Sequence, residues 1–228
     1  MNVATLVQTI SISALPVIFA ITLHEAAHGY AARHFGDQTA WAAGRVSLNP
    51  LRHVDPVGTL LVPGGILMLS YLIGAYSGQR FDPILFGWAK PVPVNFGRLR
   101  QPKRDMLWVA AAGPAVNLLM ALVWAALLKL VDVTPSHMYT RPLALMSLIG
   151  ININLMLMVL NMLPLPPLDG GRIAVSLLPY RLAIPFSRLE RWGFPILLLL
   201  LFTNTLDLII WPVIVAFRHS ILGFLQLI

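Results

Sequence analysis

The chain has 228 residues, of which 57% are hydrophobic and 11% charged, with a mean hydropathy of +0.77. Soluble domains carry about 25% charged residues, so that class is excluded. The absence of cysteine excludes a disulfide framework, a thiolate metal site and a cysteine nucleophile. The formal charge of +7 would suggest nucleic acid in a soluble protein. Here Lys and Arg gather between apolar runs, as they do in the cytoplasmic loops of membrane proteins, and no nucleic-acid partner is expected.

An apolar run of about 20 residues spans a bilayer as a helix. Five such stretches can be drawn in chain order, at about 6–33, 56–77, 106–129, 143–168 and 192–217. The first lacks a basic leader and carries His24 and Glu25, so it reads as a membrane helix rather than a cleaved signal peptide. The second has Pro63-Gly64-Gly65 near its middle, which suits a re-entrant hairpin. The segments on either side of it, AAGRVSLNPLRHVDP and FGWAKPVPVNFGRLRQPKRD, read as short strands and turns. Candidate strand edges are Arg45–Leu48 and Val92–Asn95. Between the fourth and fifth stretches, GGRIAVSLLPYRLAIPFSRLER fits a short amphipathic helix at the membrane interface. The expected fold is an all-α polytopic membrane protein, one integral membrane domain over 1–228 with a three-helix core. No repeat or second soluble domain is visible.

The chain from Met1 to Leu23 has no charged side chain, and then HEAAH arrives at His24–His28. On a helix, residues four apart project from one face, so His24 and His28 offer two nitrogen ligands to one metal ion. In H-E-x-x-H the glutamate is a general base for water held by zinc. From the composition, this pattern arises by chance in roughly one chain in a thousand. A glutamate in a membrane helix is costly, which makes Glu25 a functional candidate by default.

A catalytic zinc needs a third protein ligand and an open position for water. The acidic or histidine candidates are Asp169, Asp207, His53 and His34. Asp169, in NMLPLPPLDGGR, follows three prolines that cannot continue a helix and precedes two glycines that free the backbone. It can be a ligand on a broken helix or an aspartate in an interfacial turn. Asp207 lies in what reads as an unbroken helical run, and His53 lies among loop prolines. In AAAGPAVNLLMAL, Gly113 and Pro114 accompany Asn117, whose amide can meet another helix, a substrate backbone or an oxyanion. Asn152, Asn154 and Asn161 read first as contacts between helices.

Together, HEAAH, GPAVN at Gly113–Asn117 and NMLPLPPLDG at Asn161–Gly170 resemble the site-2 protease family of intramembrane zinc metalloproteases. The resemblance covers the three core helices and most of the chain. It implies one zinc per chain held by His24, His28 and Asp169, with Glu25 as the base. Asn117 and Asn161, with Gly113 and Pro114 beside them, would line the cleft, and the substrates would be transmembrane segments of other proteins. Many members have glycine just before the second histidine, where this chain has Ala27. A minimal member without PDZ or CBS domain is expected.

Both metal-binding elements end at one membrane depth, so the second and third stretches cannot both cross. If the second does not cross, thirteen Lys or Arg fall on one side and three on the other. That pattern implies an external N-terminus and a site opening toward the cytoplasm, in a cell membrane of bacterial inner-membrane type. The rival functions are a metal transporter, a zinc-binding membrane protein without hydrolysis, and a catalytically silent relative. The remaining histidines are scattered along the chain, and every catalytic residue is in place.

Overall fold

A computed structural model describes residues 3–53, 55–77 and 90–227. The regular secondary structure of the described residues is all helical, with no strand. The long helices are α1 (Val3–His34), α4 (Pro102–Asp132), α5 (Thr140–Asn161) and α9 (Thr205–Phe224). All four are long and apolar enough to cross a membrane, α1 over Ile10–His34. Shorter helices are α2 (Thr39–Ala42), α3 (Val62–Ser77), α6 (Asp169–Leu177), α7 (Tyr180–Ser187) and α8 (Glu190–Phe202). The chain is an all-α polytopic membrane protein.

The site rests on α1, α4 and α5. In lipid there is little hydrophobic force between helices, so close packing through small residues must hold them. Ala20, Ala26, Ala32, Ala110, Ala121 and Ala125 are all buried accordingly. Trp124 of α4 lies where a side chain on Gly150 of α5 would have to go. A larger apolar cluster joins α4, α5 and α9 through Trp124, Ile151, Leu155, Leu206, Ile210 and Ile214. Leu119, Leu122, Val123, Met156, Leu208 and Ile209 point outward, as lipid-facing side chains must.

Ala20 and His24 pair with Asn117, and His28 pairs with Val109. Rising numbers on α1 therefore meet falling numbers on α4, and the two helices are antiparallel. The C-terminal end of α1 and the N-terminal end of α4 lie at the same face.

Four expectations change. The PGG triplet makes no hairpin turn: a π-helical segment, Pro56–Leu61, runs directly into α3. The residue without an N–H falls where the hydrogen-bond register changes, and the helix continues past it. The strands do not form either. Pro91 and Pro93 have no N–H to donate, and the amides of Val92 and Asn95 are taken by the carboxylates of Glu25 and Asp37. Residues 86–89 of that expectation lie outside the described residues. The last apolar stretch is two helices, α8 and α9, separated at Asn204, whose φ of 56° ends a helix. Asp207 then falls in the first turn of α9, where a negative charge suits the helix dipole, rather than inside an unbroken run. The amphipathic segment is two short helices, α6 and α7, because Pro179 intervenes.

Candidate active site

His24 and His28 occupy adjacent turns of α1, and their rings sit edge to face with centroids 4.7 Å apart. The α5 helix stops at Asn161, and the proline-rich turn that follows brings Asp169, the first residue of α6, to the same point. Gly170 and Gly171 act here through space rather than through unusual backbone angles. A Cβ on Gly170 would collide with the carbonyls of Met162 and Leu163, and one on Gly171 with Leu165 and Pro166. Only glycine lets the start of α6 fold so tightly onto that turn.

The three ligand atoms form a nearly equilateral triangle. His24 Nε2 and His28 Nε2 are 3.1 Å apart, and each is 3.3 Å from Asp169 Oδ2. A tetrahedral ion with bonds of about 2.05 Å sets its ligands about 3.3 Å apart, so the group has the size zinc requires. Asp169 Oδ2 is buried and accepts no hydrogen bond. A buried carboxylate oxygen without a partner is costly, and a cation would satisfy it.

The second nitrogens of the two rings define which form each takes. His28 Nδ1 donates to the Val109 carbonyl at 2.7 Å, and His24 Nδ1 donates to Asn117 Oδ1. Each Nε2 therefore carries a lone pair when the ring is neutral, and both lone pairs face the triangle. Pro114, buried within α4, has no N–H to donate to Ala110, one residue after the Val109 carbonyl that His28 uses. Gly113 lies against the same two rings. A methyl there would overlap His28 Nε2 and lie 2.6 and 2.7 Å from His24 Cε1 and Nε2.

Glu25 is half-buried, and its Oε2 accepts the Val92 amide at 2.7 Å. The segment from Lys90 to Asn95 is thus laid across the site. Its ends are tied by Lys90 N–H to the His53 carbonyl and by Asn95 N–H to Asp37 Oδ2. The fully buried Asp37 also accepts from the hydroxyl and amide of Thr39. Burial alone would raise its pKa. The hydrogen bonds from Thr39 and Asn95, with Arg98 nearby, outweigh burial and hold its carboxyl below the usual value.

The other candidates fall elsewhere. His53 is buried but bonds through Nε2 to the Ser47 carbonyl, while His34 and Asp207 are exposed. Asn161 turns back to the Leu157 carbonyl of its own helix. Among the described residues, His24, His28 and Asp169 are the group placed to share a metal ion. Sequence reasoning missed the Val92 amide on Glu25 and the role of Asp37. The Pro-Val-Pro pattern was a signal for the first, since it leaves Val92 the sole donor among three residues. Nothing in the local sequence marked the second.

No family model matches the chain, and no solved structure matches it. Among curated proteins, it is 36% identical over 211 residues to "Putative zinc metalloprotease YwhC" of Bacillus subtilis, covering 91% of this chain and 88% of that protein. It is 30% identical over 192 residues to "Putative zinc metalloprotease Rip2" of Mycolicibacterium smegmatis, covering 83% of this chain and 66% of the relative. A Rip2 of Mycobacterium tuberculosis matches over 67% of this chain and 52% of its own length, at 30% identity. Four membrane-length helices, a donor set sized for zinc and these relatives agree: the chain is a zinc metalloprotease and belongs to the site-2 protease family.

Proposed function

We propose that the protein hydrolyses peptide bonds in or near transmembrane segments of other membrane proteins, with zinc held by His24, His28 and Asp169. The observation that carries this reading is the triangle of ligand atoms, 3.1–3.3 Å on a side, built on a helix long and apolar enough to span a bilayer. Bound there, zinc supplies Lewis acidity toward a peptide carbonyl and makes water nucleophilic near neutral pH.

The protein's own residues do the rest. Glu25, one residue from His24 on the same helix, takes the proton of the attacking water and delivers it to the departing amine nitrogen. With their Nδ1 protons committed to Asn117 and Val109, the neutral rings of His24 and His28 turn their Nε2 lone pairs toward the metal position. A helical substrate hides its carbonyls in its own hydrogen bonds, so it unwinds before it reacts. The unwound strand needs new partners. The backbone carbonyls of the segment laid across the site offer acceptors, that of Pro91 shared with the Arg45 guanidinium.

We also place the site at the cytoplasmic face of a cell membrane, with the N-terminus outside. Antiparallel α1 and α4 put both ends of the segment 35–101 at one face, and that segment is the most basic part of the chain. A transporter would need ligands along a path. Instead His34, His137 and His219 are exposed and His53 is bonded in a loop.

The test needs no known substrate. Metal per chain is measured in detergent-purified wild type and Asp169→Ala. About one zinc per chain, lost in the variant, is expected; equal zinc in both would overturn the ligand set.

A further inference from the structure

We propose that Asn154, on α5, is a positioning residue for the metal site, acting through Asn117 to fix how His24 presents its lone pair. This rests on the reading of His24 as a zinc ligand. Asn154 and Asn117 are both fully buried. The Nδ2 of Asn117 donates to Asn154 Oδ1 at 3.0 Å and to the Ala20 carbonyl at 3.3 Å. Asn154 Nδ2 donates in turn to the Gly150 carbonyl at 2.8 Å.

These bonds give the chain of amides a single polarity. An asparagine amide can turn over, exchanging its oxygen for its nitrogen with almost no change in shape. Turned over, Asn117 would point N–H at His24 Nδ1 and force the ring proton onto Nε2, toward the metal. That arrangement would also press its oxygen against the oxygens of Asn154 and Ala20. Asn154 cannot relieve the clash by turning over itself, because its nitrogen is held by Gly150. The polarity therefore runs from the Gly150 carbonyl through Asn154 and Asn117 to His24, leaving His24 Nε2 as an acceptor. Of the two acceptors that orient Asn117, Asn154 is the nearer. Groups that orient a ligating histidine influence metal affinity by 10–100-fold.

The experiment measures zinc affinity by chelator competition in the detergent-purified full chain, for wild type, Asn154→Leu and Asn154→Asp. Leucine keeps the branched heavy-atom outline and removes both hydrogen bonds. Aspartate, protonated in so apolar a place, keeps the acceptor for Asn117 and a donor for Gly150. The leucine variant should bind zinc about tenfold more weakly. The aspartate variant should stay within about twofold of wild type. If Asn154→Leu does not purify folded, Asn154→Ala takes its place with the same expectation.

Wild-type affinity in a variant that lacks both hydrogen bonds overturns the proposal. So does an aspartate variant as weak as leucine, since a residue that only packs α5 against α4 would not distinguish a hydrogen-bonding isostere. Asp169→Ala runs in the same titration. Zinc binding that survives there overturns the ligand set itself, whereas loss there beside wild-type affinity in Asn154→Leu overturns the positioning role alone.

Discussion

Glu25 and Gly113 answer two different demands of the proposed site, a base and an empty space. Glu25→Gln keeps the side-chain shape and an oxygen for the Val92 amide, but it cannot take a proton from water. It should retain zinc and lose turnover by about a thousandfold, within the usual range for a general base. Zinc content and cleavage of a transmembrane substrate, measured on one preparation, check this; unchanged turnover would remove Glu25 from the chemistry. Gly113→Ala should do the opposite and empty the site, because the added methyl falls on the ligating nitrogens. Metal analysis showing full zinc in Gly113→Ala would mean that α4 moves aside freely. His24 and His28 were legible in the sequence because the helix period alone puts them on one face, and Glu25 because it stands between them in H-E-x-x-H. Asn154 was legible only as an amide wanting a partner. Which amide it meets, and with which end, depends on how α4 and α5 pack.

Among the elements, proline spoke clearly where it ended a helix and misled where the helix went on. The run from Pro164 to Pro167 does stop α5 and delivers Asp169, as its composition implied. Pro63 stops nothing, because a π-helical lead-in absorbs the missing donor. The loop beside α1 shows why a strand reading failed. Its β-branched residues and alternation suit a strand, but carboxylates rather than a neighbouring strand satisfy its amides. Asp37 therefore ties Asn95 in place, with a pH signature. Its folded pKa lies below its ordinary value of 3.8, so its contribution is complete above about pH 4. The contribution is lost as pH falls through the lower folded value. Proteolytic nicking in the segment 90–99 should rise only in that acid range for wild type. In Asp37→Asn, which has one oxygen to accept with and no charge for Arg98, nicking should already be present at neutral pH. Equal resistance of both proteins at neutral pH would show that other contacts hold the segment.

For the whole molecule, the direction of α1 against α4 constrains what lies between them. The segment 35–101 leaves and returns at one face, so it crosses the membrane an even number of times or not at all. Residues 90–100 are already back beside the end of α1, held by Asp37, His53 and the Phe35 carbonyl. If Pro56–Ser77 crossed once, only the twelve residues 78–89 would remain for the return. A helix needs about 20 to span the hydrocarbon, and extended chain would leave its backbone groups unsatisfied in lipid. A helix that stays at one face, dipping in without crossing, meets both conditions. Under the orientation proposed above, the charge asymmetry of the loops puts that face on the cytoplasmic side. Because the chain contains no cysteine, single cysteines report sidedness without background. In intact cells, Gln101→Cys at the start of α4 should resist a membrane-impermeant maleimide, and Ser136→Cys between α4 and α5 should react. The reverse pattern would put the site on the outer face. Labelling of both would mean that α4 does not cross, which would contradict its antiparallel pairing with α1 through Ala20, His24 and His28 against Asn117 and Val109.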